Sequence, residues 1–292
     1  MLIEKLMIGT VQLGLEYGIN NNSGMPNLAD SFEILRHAES RHIKALDTAI
    51  SYGKSHEVIG KYCQSADNFR VYSKFSLANG EANASLKRAT QELKMAQIEC
   101  FSFHSFADYA DSPKNTASTL KESGLTKKVG VSVYTDEELA EVVDATALDV
   151  IQVPFNLLDC SMKKRNLLAE AKDNGKTIHV RSVFLQGLFF QNLADMPAYL
   201  TPLSQSLKRV NEIAKEMGLS IHQLCLLFPL RMKNIDAVIV GVETLEQLKK
   251  NIEIVDSLEP IDEIFEDIYN IEIENPRLLN PVNWVALQAA TP

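Results

Sequence analysis

KALDTAISYGKSHEVIGKYCQSADNFRVYSKF, residues 44–75, holds one complete unit of the pattern that runs through this chain. Its two ends, 44–48 and 70–75, are short runs of strand-forming residues. Between them, 55–64 opens on Ser55, carries Glu and His in its first turn and reads as a helix. A strand, a helix and a second strand in this order make a βαβ unit, whose right-handed crossover leaves the two strands parallel.

The same alternation extends in both directions. Strands are expected at 4–10, 44–48, 70–75, 98–104, 128–133, 149–153, 177–183 and 237–241. Helices are expected at 28–41, 55–64, 81–95, 114–123, 136–145, 161–174, 203–217, 220–232 and 244–256. Asn27 is placed to cap the first of these, Asn174 and Gly175 to end the sixth in a left-handed turn, and Gly218 to stop the seventh. Pro229 should bend or break the helix that contains it. No linker or composition break interrupts the series, so residues 1–292 are expected to form a single domain. Eight such units close most economically into a (β/α)8 TIM barrel, whose chemistry lies where strands end and loops begin.

The whole chain narrows the function further. Of its 292 residues 46% are hydrophobic, ample for a core, while a net charge of −9 opposes binding to phosphate backbones. Cys63, Cys100, Cys160 and Cys225 form no CxxC pair and read as reduced thiols, neither a disulfide framework nor a zinc site. The amino terminus, MLIEKLMIGT, lacks the apolar run of a signal peptide, and LCLLFPL at 224–230 is too short to span a membrane. A soluble cytoplasmic protein with no nucleic-acid or membrane partner is expected. Its oligomeric state is not encoded legibly.

Three expected strand ends deliver four residues: Asp47 and Tyr52 in LDTAISYG, Lys74 in VYSKF and His104 in CFSFHS. These are the parts needed to give a proton to a carbonyl oxygen while a hydride arrives from elsewhere. A free phenol ionises near pH 10, and a neighbouring ammonium can lower that by about 1–3 units. Lys74 is placed to supply the ammonium, Asp47 to offset the cost of drying it, and His104 to orient the carbonyl. No cluster of metal ligands is visible.

On these residues the chain resembles the aldo-keto reductase family, whose Asp, Tyr, Lys and His occur in this order with similar gaps. The resemblance covers nearly the whole sequence and implies a barrel that reduces small carbonyl compounds with a nicotinamide dinucleotide. Members commonly begin with a β-hairpin that plugs the barrel floor; the first strand here starts so early that the plug should be short or absent. GTVQLG at 9–14 is similar to the loop beside the nicotinamide, with Gly9 leaving room and Thr10 able to hydrogen-bond. GVSVY at 130–134 and IQVPFN at 151–156 place Ser132 and Gln152, beside Asp47, at the carboxamide. Val133 stands where the family usually has Asn. In VRSVFLQGLF at 180–189, Arg181 replaces the Tyr that stacks on the nicotinamide and Ser182 matches the cofactor-site Ser after it; Phe184, Leu185, Gln186 and Gly187 then follow the pyrophosphate. VIVGVETLEQLKKN at 238–251 is similar to the adenosine end, giving Gly241, Glu243, Gln247, Lys250 and Asn251. Glu243 aligns with the Lys or Arg of NADP-preferring members and would repel a 2′-phosphate, whereas Lys250 offers compensating charge. The resemblance leans toward NADP(H), with NAD(H) as the alternative.

Substrate contacts are expected from Tyr52, His104 and an aromatic wall of Tyr17, Phe75, Phe106, Phe184 and Trp284. The polar loop YGINNNSG at 17–24 points to a sugar or another polyol. Two readings compete with the reductase: a cofactor-sensing regulatory subunit with little turnover, favoured by Val133 and Arg181, and a Schiff-base aldolase with Lys74 as nucleophile.

Overall fold

Eight parallel strands close into a barrel in chain order: β1 Leu6–Gly9, β2 Ala45–Asp47, β3 Arg70–Phe75, β4 Ile98–Phe103, β5 Thr126–Ser132, β6 Val150–Pro154, β7 Thr177–Arg181 and β8 Ala237–Gly241. The computed structural model describes residues 2–18, 21, 24–64, 69–257 and 265–290. Closure comes from β1 pairing with both β2 and β8, in registers that bring Gly9 beside Asp47 and beside Gly241.

Side chains two apart on a strand point to the same face, so one register sets two tiers of the interior. The lower tier is an apolar plug of Met7, Ala45, Tyr72, Cys100, Val150, Ala237 and Ile239. Two residues on, toward the carboxyl ends, the same rows present Gly9, Asp47, Lys74, Ser102, Gln152 and Gly241. On β7 the row is His179 then Arg181. The intervening residues, among them Ile8, Leu46, Val71, Phe101, Val129, Ile151, Val180 and Val240, face outward into the helices and form the main core.

The helices are α1 Leu28–Ser40, α2 Ser55–Cys63, α3 Ala82–Leu93, α4 Phe106–Ala110, α5 Thr116–Glu122, α6 Asp136–Ala140, α7 Met162–Asp173, α8 Ser204–Glu216, α9 Ile221–Arg231, α10 Leu245–Asp256, α11 Phe265–Tyr269 and α12 Trp284–Ala290. Asn27 caps α1 by accepting from the Asp30 amide, and Gly175 follows α7 with φ of 77°. Three expectations change. Residues Leu2–Lys5 form a 3-10 turn rather than the start of β1, and this turn, packed against α9 and α10, precedes the barrel in keeping with a short or absent plug hairpin. Pro229 does not stop α9, which runs on to Arg231, because a proline this near the end leaves only the Cys225 carbonyl without its helical donor. The helix expected at 136–145 is α6 alone, one turn capped by Thr135. Cys100, Cys160 and Cys225 are buried free thiols. Among the described residues no helix is long and apolar enough to cross a membrane.

Candidate active site

Two turns fix the reacting side of the barrel mouth. The loop after β1 and the loop after β2 meet backbone to backbone: a Cβ on Gly14 would lie 1.9 Å from the Tyr52 carbonyl oxygen, and one on Gly53, at φ 53°, would lie 2.4 Å from the Gly14 oxygen. Only glycine permits both the approach and the left-handed turn. Beneath them, the Thr10 hydroxyl donates to the Asp47 carbonyl at 2.9 Å and accepts from Ser55 Oγ at 2.7 Å. The Thr10 hydroxyl is thus committed to holding the loops together, while the residue also lines the cavity.

Lys74 Nζ donates to both Asp47 carboxylate oxygens at 2.7 Å and to the Thr48 carbonyl at 3.1 Å. Both members of the pair are buried. All three N–H groups of the ammonium are engaged, which leaves the amine unsuited to attack a carbonyl. The ammonium sits 5.2 Å from the centre of the Tyr52 ring, and the His104 ring lies edge-on to that ring at 5.9 Å. The four residues do converge.

The expected acidification of Tyr52 is not what this geometry produces. Burial pushes the phenol well above its ordinary value, the Asp47 charge adds to that, and Arg181 is the cation that opposes it. Lys74, closed onto a carboxylate, presents the phenol with an ion pair rather than a bare charge. Burial, reinforced by Lys74, lowers His104 to about 4, so the imidazole is neutral near pH 7. Its Nδ1 lies 3.3 Å from Ser51 Oγ. If that hydroxyl donates, Nε2 carries the ring proton.

These groups open into a cavity of about 820 Å³. Its walls include Gly9, Tyr17, Ser132, Gln152, Arg181, Ser182, Phe184, Gln186, Gly187, Gly241, Glu243, Gln247, Lys250 and Asn251, all singled out from the sequence. Gln152 Nε2 donates to Asp47 Oδ1 at 2.7 Å, which turns its Oε1 away as a buried acceptor with no partner among the described residues. Gln12 Oε1 is a second such acceptor in the same wall, in space that a side chain at Gly241 would fill. Unmet buried acceptors in a cavity fit a ligand with amide or hydroxyl donors, and a carboxamide NH2 suits Gln152. At the far end, Glu243 and Gln247 hold each other: the Glu243 amide donates to Gln247 Oε1 at 2.7 Å. Asn251 Oδ1 meets His222 Nε2 at 2.7 Å.

The segment after β7 carries the backbone strain. Ser182, Leu185 and Gln186 have φ of 60°, 45° and 53°, positions that non-glycine residues avoid. Gln186 Nε2 reaches across the opening to the Tyr17 hydroxyl at 3.0 Å. Leu185 is fully buried and is not part of the wall. Of the expected aromatic wall, Tyr17 and Phe184 line the cavity, and three residues do not. Phe75 stacks on Phe101 at 4.7 Å in the outer core; one residue after Lys74, it must face the other way. Phe106 opens α4 beside Tyr109, and Trp284 is buried with its indole N–H on the Leu278 carbonyl at 2.9 Å. Tyr134, Phe190, His222 and Val282 stand in the wall instead. Within the polyol loop, residues 19, 20, 22 and 23 lie outside the described residues.

A model of the aldo/keto reductase family matches residues 5–271. Two L-glyceraldehyde 3-phosphate reductases, from Escherichia coli O157:H7 and from strain K12, are each 24% identical over 294 residues, covering 84% of this chain and 84% of theirs. Among solved structures, the holo form of an aldo-keto reductase from Bacillus halodurans matches 94% of this chain and 95% of its own with a TM-score of 0.73 at 17% identity. An aldo-keto reductase from Pseudomonas aeruginosa matches 87% and 90% with a TM-score of 0.65 at 21% identity. At these identities the structural likeness concerns the fold alone.

Proposed function

The chain belongs to the aldo/keto reductase family, being an NAD(P)-dependent oxidoreductase by that membership, and from this premise we propose that it reduces an aldehyde or ketone to the alcohol with Tyr52 as proton donor. The observation that carries the reading is the convergence of Tyr52, His104 and the Lys74–Asp47 pair at one end of the cavity. A reduced nicotinamide, when bound, supplies the hydride. Gln152 and Ser132 are the residues we assign to its carboxamide, the first through its unmet Oε1.

The neutral His104 ring orients the carbonyl oxygen toward the Tyr52 hydroxyl by donating from Nε2. Tyr52 gives its proton to that oxygen as negative charge builds on it. The Lys74 ammonium, held 5.2 Å from the phenol ring, stabilises the phenolate left behind, while Asp47 keeps the ammonium in place. Because burial holds the phenol protonated, the resting site is set for reduction at neutral pH, and alcohol oxidation calls for alkaline conditions.

The turn after β8 bears on nucleotide choice. Glu243 places a carboxylate at the position aligned with the family's phosphate-binding cation, which suits a 2′-hydroxyl, and Lys250 supplies the opposing charge that keeps NADP(H) in contention. Relatives named for L-glyceraldehyde 3-phosphate make a short hydroxylated carbonyl compound the substrate class to try first. The test is titration with NADPH and NADH, followed by the coenzyme's own fluorescence because Trp284 lies outside the cavity, together with turnover of hydroxylated aldehydes and ketones. Dinucleotide binding with turnover that disappears in Tyr52→Phe sustains the proposal. Binding without turnover of any carbonyl would instead favour the regulatory reading.

A further inference from the structure

We propose that Arg181, backed by Tyr134, selects substrates that carry a carboxylate or phosphate within a few atoms of the reacting carbonyl. The inference rests on the reading of Tyr52 as proton donor and deepens it. Arg181 ends β7 and shares the inward parity of His179, so its side chain stands in the barrel mouth and lines the cavity. In a closed ring of eight strands, β7 lies across from β3, which carries Lys74. Lys74, Arg181 and Tyr52 all line the same cavity.

The guanidinium is already oriented. Its carbon lies 4.2 Å from the centre of the Tyr134 ring, Nη2 donates to the Val133 carbonyl at 3.2 Å, and Nη1 reaches Ser182 Oγ at 3.4 Å. Its other three N–H groups meet no protein acceptor among the described residues, and no carboxylate there lies within ion-pair distance. Asp159, whose carboxyl feels the Arg181 charge without forming an ion pair with it, shares Lys164 with Asp136, and neither carboxylate lines the cavity.

The charges in the wall make the imbalance plain. Asp47 is matched by Lys74, and at the far end Glu243 and Lys250 carry opposite charges that cancel in sum without an ion pair between them among the described residues; Arg181 is the remainder in the wall. Tyr52 and His104 add no charge near pH 7. A chain with a net charge of −9 thus leaves one cation unmatched in its cavity. That cation belongs to the reacting end, because its field is felt by both the phenol and the imidazole. A stacked planar fork with free N–H groups suits the paired oxygens of a carboxylate or phosphate.

The test compares matched substrates in the wild type, Arg181→Gln and Arg181→Lys: glyceraldehyde against glyceraldehyde 3-phosphate for phosphate, and butanal against succinic semialdehyde for carboxylate. The wild type should favour the anionic member of at least one pair by about 10- to 100-fold in kcat/KM, the worth of a charged hydrogen-bonded contact. Arg181→Gln should erase most of that ratio, chiefly through KM, and Arg181→Lys should restore part of it. The Kd values for NADPH and NADH should change less than the ratio does. An absent preference, a preference that survives in Arg181→Gln, or loss of dinucleotide affinity matching the loss of anionic turnover would each overturn the inference, the last by placing the guanidinium on the coenzyme. Should no carbonyl turn over at all, the reductase reading fails separately. The anion site is then scored by calorimetric titration of the dinucleotide-loaded protein with glyceraldehyde 3-phosphate and succinate: binding lost in Arg181→Gln upholds it, and no Arg181-dependent binding overturns it.

Discussion

On the β2–β4 side of the barrel mouth, Asp47, Lys74 and the Thr48 carbonyl satisfy one another in full. On the β7–α10 side, Arg181 keeps N–H groups without protein partners among the described residues, and Glu243 accepts from a glutamine there rather than from a cation. Both sides are built from strand ends of one barrel, so architecture does not explain the difference. Purpose does. The first side must hold a proton donor in one geometry through every turnover, and a closed ion pair gives it rigidity. The second must exchange ligands, and charges left unmatched by the protein are those a ligand can meet.

The largest expected effect tests the first side directly. Tyr52→Phe removes the only proton the mechanism donates and should lower kcat by about 10²–10⁴-fold, the usual worth of a positioned acid. Dinucleotide affinity should stay close to that of the wild type, which coenzyme fluorescence measures. Turnover within a few-fold of the wild type would move the acid elsewhere.

Next comes the stability of the pair. Asp47→Asn leaves the buried Lys74 ammonium without its counter-charge, and breaking a buried pair in this way costs about 3–5 kcal/mol. Urea unfolding should show it, and adding Lys74→Met should recover part of the loss because the stranded charge goes with it. Glu243→Gln, on the open side, should change stability by less than about 0.5 kcal/mol, because the half-exposed carboxylate holds no buried partner charge. Equal costs at the two positions would erase the contrast between the sides.

A smaller effect appears on acidification. His104 beside Tyr52 and His179 beneath Arg181 are both lowered by burial from 6.5 to about 4. Between those values the unfolded chain binds more protons than the folded one, so stability is full above pH 6.5 and is lost as pH falls toward 4. Each histidine should cost about 2 kcal/mol by pH 5. His179 packs against the Tyr72 ring at 4.7 Å with its Nδ1 unpartnered. In His179→Met, urea midpoints at pH 8 and pH 5 should therefore differ less than in the wild type; an unchanged difference would show that His179 does not titrate as its burial requires.

The closed side was legible in the sequence, and the open side only in part. Strand parity and short loops determine where Asp47, Lys74 and His104 stand, so residue spacing alone locates them. The same parity, applied one residue further, already turns Phe75 away from the cavity. The segment 182–187 was not legible in shape, because Ser182, Leu185 and Gln186 take left-handed backbone that their residue types do not announce. Tyr134 sits two residues beyond Ser132 within a stretch read only for its polar atoms. His222 reaches the wall from the first turn of α9, a helix whose sequence signals burial rather than binding. Thr10 shows the converse, since a hydroxyl in a ligand-binding loop is spent on the fold.

The smallest expected effect probes the open side at its far end. Glu243 stands in the turn between β8 and α10, where it also faces Gly18 at 3.8 Å from the position of an added Cβ. Burial raises its carboxyl from the usual value, and Gln247 opposes that by donating to it. A half-exposed charge of this kind acts through screened attraction and repulsion, worth about 0–1 kcal/mol for each contact. Glu243→Lys reverses the sign, removing a repulsion and adding an attraction for a 2′-phosphate. The ratio of NADPH to NADH affinity should rise by about 3- to 10-fold, with the gain shrinking as salt is added. An unchanged ratio would place the 2′-position away from this turn and leave Lys250 as the residue that distinguishes the two dinucleotides.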